Sequence, residues 1–299
     1  MAGLRPRYGD RDGWEDGEGM LLDQRPVADT LAADGSDFSE RSLDRLVHAI
    51  EDEIIPRLVL ARRGLPAGPS GELERQEIPG SDEVREFARL VLSHDVGVAA
   101  AYIDALRARG VPLETVYLDL LAPTARLLGD LWSNDLCDFT EVTVGVWRLH
   151  QLVRELSPEF RADLRAGEDG RRALLVAIPG EQHTFGLVLL AEFFRRSGWD
   201  VWSGPVASGD ELRDLVRSES FAVVGLSVGG SGHVQGLAAE IHNIRRASRN
   251  RAIGVMVGGP LFIDHPELVG LVGADATAVD GRQATQQAEG LMALAARRC

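Results

Sequence analysis

The sequence predicts an α/β fold, with an N-terminal helical bundle followed by a doubly wound parallel sheet of five strands. Two observations lead there. Apolar side chains recur at helical spacing between residues 42 and 160, and short β-rich runs alternate with helical stretches from residue 173 onward. A third observation locates the chemistry. The glycine-rich turns and the chain's most unusual loop histidine follow those β-rich runs, where an open α/β sheet binds its ligands.

Residues 1–40 carry ten acidic and four basic side chains and no sustained apolar period, which predicts a disordered acidic tail. The bundle is expected over 41–160. Its first helix, "SLDRLVHAIEDEIIPRLVLARR", sets Leu43, Leu46, Val47, Ile50, Ile54 and Ile55 on one face, with Pro56 as a kink or an end. A loop follows over 68–81. Three further helices are predicted at about 82–95, 96–109 and 113–131. The second opens after Asp95, and the third follows the stop signal "RGVP". The last, 139–156, repeats Val142, Val146, Leu149, Val153 and Leu156 at helical spacing.

The α/β domain is expected over 161–299. "ALLVAI" (173–178), "DVWSG" (200–204), "FAVVGLS" (221–227), "AIGVMV" (252–257) and "DATAV" (275–279) predict strands with helices between them. Five βα units make a flavodoxin-like, doubly wound sheet.

Composition narrows the function. Of 299 residues, 44% are hydrophobic, enough for a packed core, and the net charge of -14 speaks against unspecific affinity for nucleic acid or anionic lipid. No apolar run approaches the roughly 18 residues of a membrane span. There is no basic-then-apolar leader pattern, and the two cysteines give no disulfide framework. A cytoplasmic protein is expected.

The first strand is followed by "PGEQHTFG" (179–186), the third by "SVGGSG" (227–232), the fourth by Gly258-Gly259-Pro260 and the fifth by "VDGRQAT". Glycines let a backbone approach something large, because no Cβ intervenes. Nucleotide binding is the rival reading, but no G-x-G-x-x-G follows the first strand and no Walker lysine occurs. The first loop offers His183 instead. Such a histidine ligates a metal best when a carboxylate holds its other ring nitrogen, and Glu181 stands two residues away. One protein ligand is too few for zinc, so a prosthetic group carrying cobalt or iron is predicted.

These residues carry a resemblance. Glu181-x-His183-x-x-Gly186, then Ser227 and then Gly258-Gly259 are similar to the D-x-H-x-x-G, S-x-L, G-G signature of the cobalamin-binding domain of methionine synthase and its relatives. Glu181 stands for the aspartate and Gly229 for the leucine. "GADATAVDGRQA" (273–284) resembles the last strand and helix of that domain. The resemblance implies His183 as lower cobalt ligand, Glu181 as its partner and Ser227 as a partner of the buried base. It implies Gly186, Gly229, Gly230, Gly258 and Gly259 as lining of the slot for the cofactor tail.

Residues 128–152 resemble the segment that caps the corrin in methionine synthase and in light-sensing cobalamin repressors, with Trp132 as the covering aromatic. Those repressors place Glu-His ten residues after that tryptophan, where Val142-Thr143 stand here. The histidine of this chain comes later. His150 is read either as a locally satisfied core or rim histidine or as an upper axial ligand. Cys137 is a soft thiolate candidate or a small buried side chain.

Over about residues 40–299 the arrangement resembles the PpaA/AerR family of photosynthesis-gene antirepressors, through "WSNDLCDFTEVTVGVWRLHQL" and "EQHTFG". The resemblance implies a non-enzymatic, light-responsive transcriptional regulator. It would bind adenosylcobalamin or hydroxocobalamin and contact a PpsR/CrtJ-type repressor, with no direct DNA or membrane contact expected. His150 would close on the metal once an alkyl group has left. A corrinoid carrier of a methyltransferase system is the alternative, and a scaffold with a vestigial slot is a third class.

Overall fold

The computed structural model describes residues 78–162, 171–181, 183–229 and 234–297. The acidic tail and the helix expected after Ser42 lie outside them, as do Gly230 and Cys299.

The bundle begins with α1 (Ser81–Ser93) and α2 (Val96–Ala108). Glu83 in the first turn of α1 accepts the Gly80 N–H at 2.9 Å, and Asp95 caps α2 by accepting the Gly97 N–H at 2.9 Å. The helix expected over 113–131 is present but not uniform. A short α3 (Leu113–Thr115) widens into a π-turn (Val116–Leu121) and then continues as α4 (Ala122–Ser133). Pro123 explains the widening. It has no N–H for the carbonyl four residues back, and the Ala122 N–H reaches five residues to the Tyr117 carbonyl.

Asp138 and Glu141 then form a capping box that starts α5 (Phe139–Phe160). This helix runs past its expected end and through Pro158. Packing outweighs the proline, because Phe160 stacks on Tyr117 at 4.1 Å between ring centroids and meets Phe193 edge-on at 5.1 Å.

The second half alternates β1 (Arg172–Ala177), α6 (Phe185–Arg196), β2 (Asp200–Ser203), α7 (Gly209–Ser218), β3 (Val223–Ser227), α8 (Val234–Ala247) and β4 (Gly254–Gly258). Two short helices, α9 (Pro260–Asp264) and α10 (Leu268–Leu271), precede α11 (Gly281–Ala296). All strand pairs are parallel and the spatial order is β2-β1-β3-β4, the doubly wound arrangement.

Among the described residues, four strands are found where five were expected. The segment 275–279 keeps the fifth position next to β4 but makes only one bridge, Met256 to Ala276. A side chain takes over part of the ladder, since Asp275 Oδ2 accepts the Val255 N–H at 2.7 Å and pairs with Arg245 at 2.8 Å. The next helix is already capped by Asp280, whose carboxylate accepts the Gln283 N–H at 2.8 Å.

Buried apolar residues cover both faces of the sheet, and a third core fills the bundle. Helix α6 belongs to both halves, because Phe185, Leu189 and Phe193 complete the bundle core. Polar contacts follow the same seam. Arg161 of α5 grips the buried Glu192 carboxylate of α6 through two hydrogen bonds, and Glu114 of α3 pairs with Arg196 of α6 and Arg282 of α11. Among the described residues, no helix is long and apolar enough to cross a membrane.

Candidate cofactor site

The parallel register brings the carboxyl ends of three strands side by side. Ala177 of β1 pairs with Ser227 of β3, which pairs in turn with Gly258 of β4. The ladder continues one step further, with Ile178 N–H donating to the Ser227 carbonyl and Val228 N–H to the Gly258 carbonyl. Beyond it the chain turns at Gly180, whose φ of 88° requires the left-handed region. That turn puts Glu181 under the loop and His183 on top of it.

The Glu181 side chain is 4% exposed, while that of His183 is 71% exposed. One carboxylate oxygen, Oε1, accepts the backbone N–H of His183 at 2.8 Å and lies 2.7 Å from its Nδ1. The other, Oε2, accepts the backbone N–H of Gly229. Burial opposes ionisation of this carboxyl, but the bonds from His183 and Gly229 outweigh it and hold it below the usual carboxylate range. An ionised partner can only accept, so Nδ1 donates to it and Nε2 is the ring nitrogen left for another partner. The loop therefore presents an imidazole held through Nδ1 at the carboxyl end of the sheet.

The glycines divide by reason. Gly259 has φ 120°, and a Cβ there would stand 2.0 Å from the Val228 carbonyl oxygen, so the crossing of two backbones requires it. A Cβ at Gly229 would meet the Glu181 carboxylate. At Gly186 and Gly258 a Cβ would meet nothing within 4 Å, which leaves open space beside His183 and at the end of β4. The two departures from the signature thus explain each other, since the longer Glu181 side chain occupies the volume that Gly229 leaves empty.

On the bundle side, Trp132 lies in the last turn of α4 and is 44% exposed. His150 is half-buried on α5, its ring edge-on to Phe185 with centroids 5.1 Å apart. Burial, and then the Arg154 guanidinium, push its pKa below the usual histidine range, which favours the uncharged ring. Cys137 is free and half-buried; burial, then Glu141 and Asp138, push its thiol up, which disfavours the thiolate. Sequence reasoning missed Phe185, the residue that joins the helix of His150 to the loop of His183. It also missed Trp147 and Phe139, apolar residues of α5 that stay exposed at 54% and 71%. Phe185 was legible only as the first apolar residue after Thr184.

Among the described residues, no group of three or more histidine, cysteine or acidic side chains is arranged to hold a bare metal ion. A single presented imidazole, an open strand edge and a helical layer next to it define a protein that binds a large metal-bearing cofactor in an α/β domain.

Comparison with known proteins makes that class specific. Residues 171–289 match the B12 binding domain family. The chain is 29% identical over 172 residues to an uncharacterized 20.5 kDa protein in the bchF-crtJ intergenic region of Rhodobacter capsulatus; the match covers 58% of this chain and 89% of that relative. Its fold is similar to that of the Methanosarcina barkeri monomethylamine corrinoid protein, with a TM-score of 0.59 and 16% identity over 71% of this chain and 100% of that one. The cofactor of this chain is cobalamin. The residues present fit it: His183, exposed and held by Glu181, would offer an imidazole to the metal, and the open space at Gly186 and Gly258 would admit a large group.

Proposed function

We propose that the protein is a light-responsive, cobalamin-binding transcriptional regulator that acts by contact with a PpsR/CrtJ-type repressor and is not itself an enzyme. The observation that carries this reading is the relative encoded between bchF and crtJ, combined with the capping layer fused to the B12-binding domain. When bound, an adenosylcobalamin supplies a cobalt–carbon bond that light cleaves. His183, held by Glu181, would hold the metal, and Ser227 and the glycines at the strand ends would line the space for the rest of the cofactor.

His150, which lies against the ring of Phe185, would then have the metal of the cofactor as an alternative partner. Exchange between them alters the contact of α5 with α6 and so the surface offered to the repressor. A switch of this kind needs a group that binds one state better than the other, which a coordination bond made in one state provides. The bundle and the α/β domain share one core through α6, so the change is local to α5 and the loop after β1 rather than a closing of two separate bodies.

The second reading is a corrinoid carrier, since the fold extends over the whole length of the monomethylamine corrinoid protein. Protein loaded with adenosylcobalamin in the dark and then illuminated separates the two. A lit spectrum accompanied by altered repressor binding is expected. Methyl transfer to a corrinoid methyltransferase, with repressor binding unchanged by light, would establish the carrier instead.

A further inference from the structure

We infer that Gly229 is a positioning residue for His183, acting through Glu181, so that residues 181 and 229 form one coupled unit; this rests on the cobalamin reading of the site. The Glu181 carboxylate ties together two loops that are 48 residues apart in sequence. Oε1 holds the backbone and the ring of His183, while Oε2 takes the Gly229 N–H. All of this happens on a side chain that is 4% exposed. The orientation of the imidazole therefore depends on a backbone amide at the end of β3, not on the His183 loop alone.

Space makes the dependence strict. A Cβ on Gly229 would lie 2.4 Å from Glu181 Oε2 and 2.9 Å from both Oε1 and Cδ. The neighbour that would have to move is not a free chain end but a carboxylate bonded at three points. Left-handed backbone is not the reason for this glycine, since its φ lies outside that region, unlike that of Gly259. A carboxylate one methylene shorter would draw back from Gly229, give up its N–H and leave room for a side chain there. Length at 181 and volume at 229 are complementary.

A double-mutant cycle tests this with the full chain. Hydroxocobalamin is titrated against wild type, Glu181→Asp, Gly229→Ala and the double variant, following absorbance, with melting of each unloaded protein alongside. Gly229→Ala is expected to weaken binding about tenfold to a hundredfold, as loss of a histidine's supporting group does. In the Glu181→Asp background the same substitution is expected to cost less than about threefold, because the clash has gone. Additive losses, or a Gly229→Ala protein that binds like wild type, would overturn the inference.

A readout independent of cobalamin accompanies it. The Gly229 amide proton of the unloaded chain, bonded to a carboxylate, is expected to shift upfield in Glu181→Ala. An unmoved resonance sinks the coupling even if cobalamin binds. Conversely, a wild-type chain that retains no cobalamin while the resonance moves refutes the cofactor reading and leaves the coupled pair standing.

Discussion

The His150 imidazole and the Phe185 ring meet in a T, with centroids 5.1 Å apart and planes at 85°. Phe185 opens α6 two residues after His183, so the two histidines of interest are joined through one aromatic ring and a short stretch of backbone. Helix α5 and the loop after β1 are thereby linked through a single aromatic ring.

The histidines should separate by substitution. His183→Ala is expected to lose the lower ligand and to lower cobalamin affinity by at least about tenfold in dark and light alike. His150→Ala should bind adenosylcobalamin in the dark as wild type does, yet differ from it in spectrum after illumination. Dark and lit absorption titrations check both. A His150→Ala protein with a wild-type lit spectrum would leave His150 as a packing residue against Phe185.

The glycines at the strand ends should part company in the same way. Gly259→Ala forces a side chain into φ 120° and against the Val228 carbonyl, and is expected to cost about 1–3 kcal/mol or more of stability. Gly258→Ala meets nothing in the chain and should change stability by no more than about 0.5 kcal/mol, while obstructing cobalamin. Chemical denaturation and cobalamin titration of the two variants give the comparison. Equal losses of stability would show that the edge is closed rather than open.

Glu192 should make stability depend on acid. Burial raises its pKa, but the Arg161 guanidinium outweighs that and holds the carboxyl below the ordinary glutamate range in the folded chain. A depressed folded value means the stabilisation is complete above the unfolded pKa and is lost as pH falls through the folded one. Melting temperature should therefore drop on acidification below the ordinary glutamate range. Glu192→Gln should lower stability by about 1–3 kcal/mol near neutrality and flatten that acid limb. A variant with the wild-type acid limb would place the titration elsewhere.

Much of this was legible because local rules carried it. Asp95, Asp138 and Asp280 mark helix starts by the same capping chemistry wherever they fold, and all three cap helices. The starts and ends of the four strands found were read to within about two residues, as short apolar runs rich in β-branched residues; the fifth was overread. Glu181 and His183 could be paired from a separation of two residues, and their contact at 2.7 Å follows from it.

Tertiary structure decided what depends on distant partners. Pro158 does not end α5, because Phe160 stacks on Tyr117; the segment 275–279 is not a full strand, because Asp275 occupies its ladder; and Gly229 is bare because a carboxylate 48 residues earlier fills its place. The sequence by itself determined the order of elements and the loop that presents His183, since each rests on residues within a few positions of one another. It left open which ring His150 meets and which atom requires Gly229. Those follow from packing between segments that meet only in space, where a fraction of an ångström separates contact from collision.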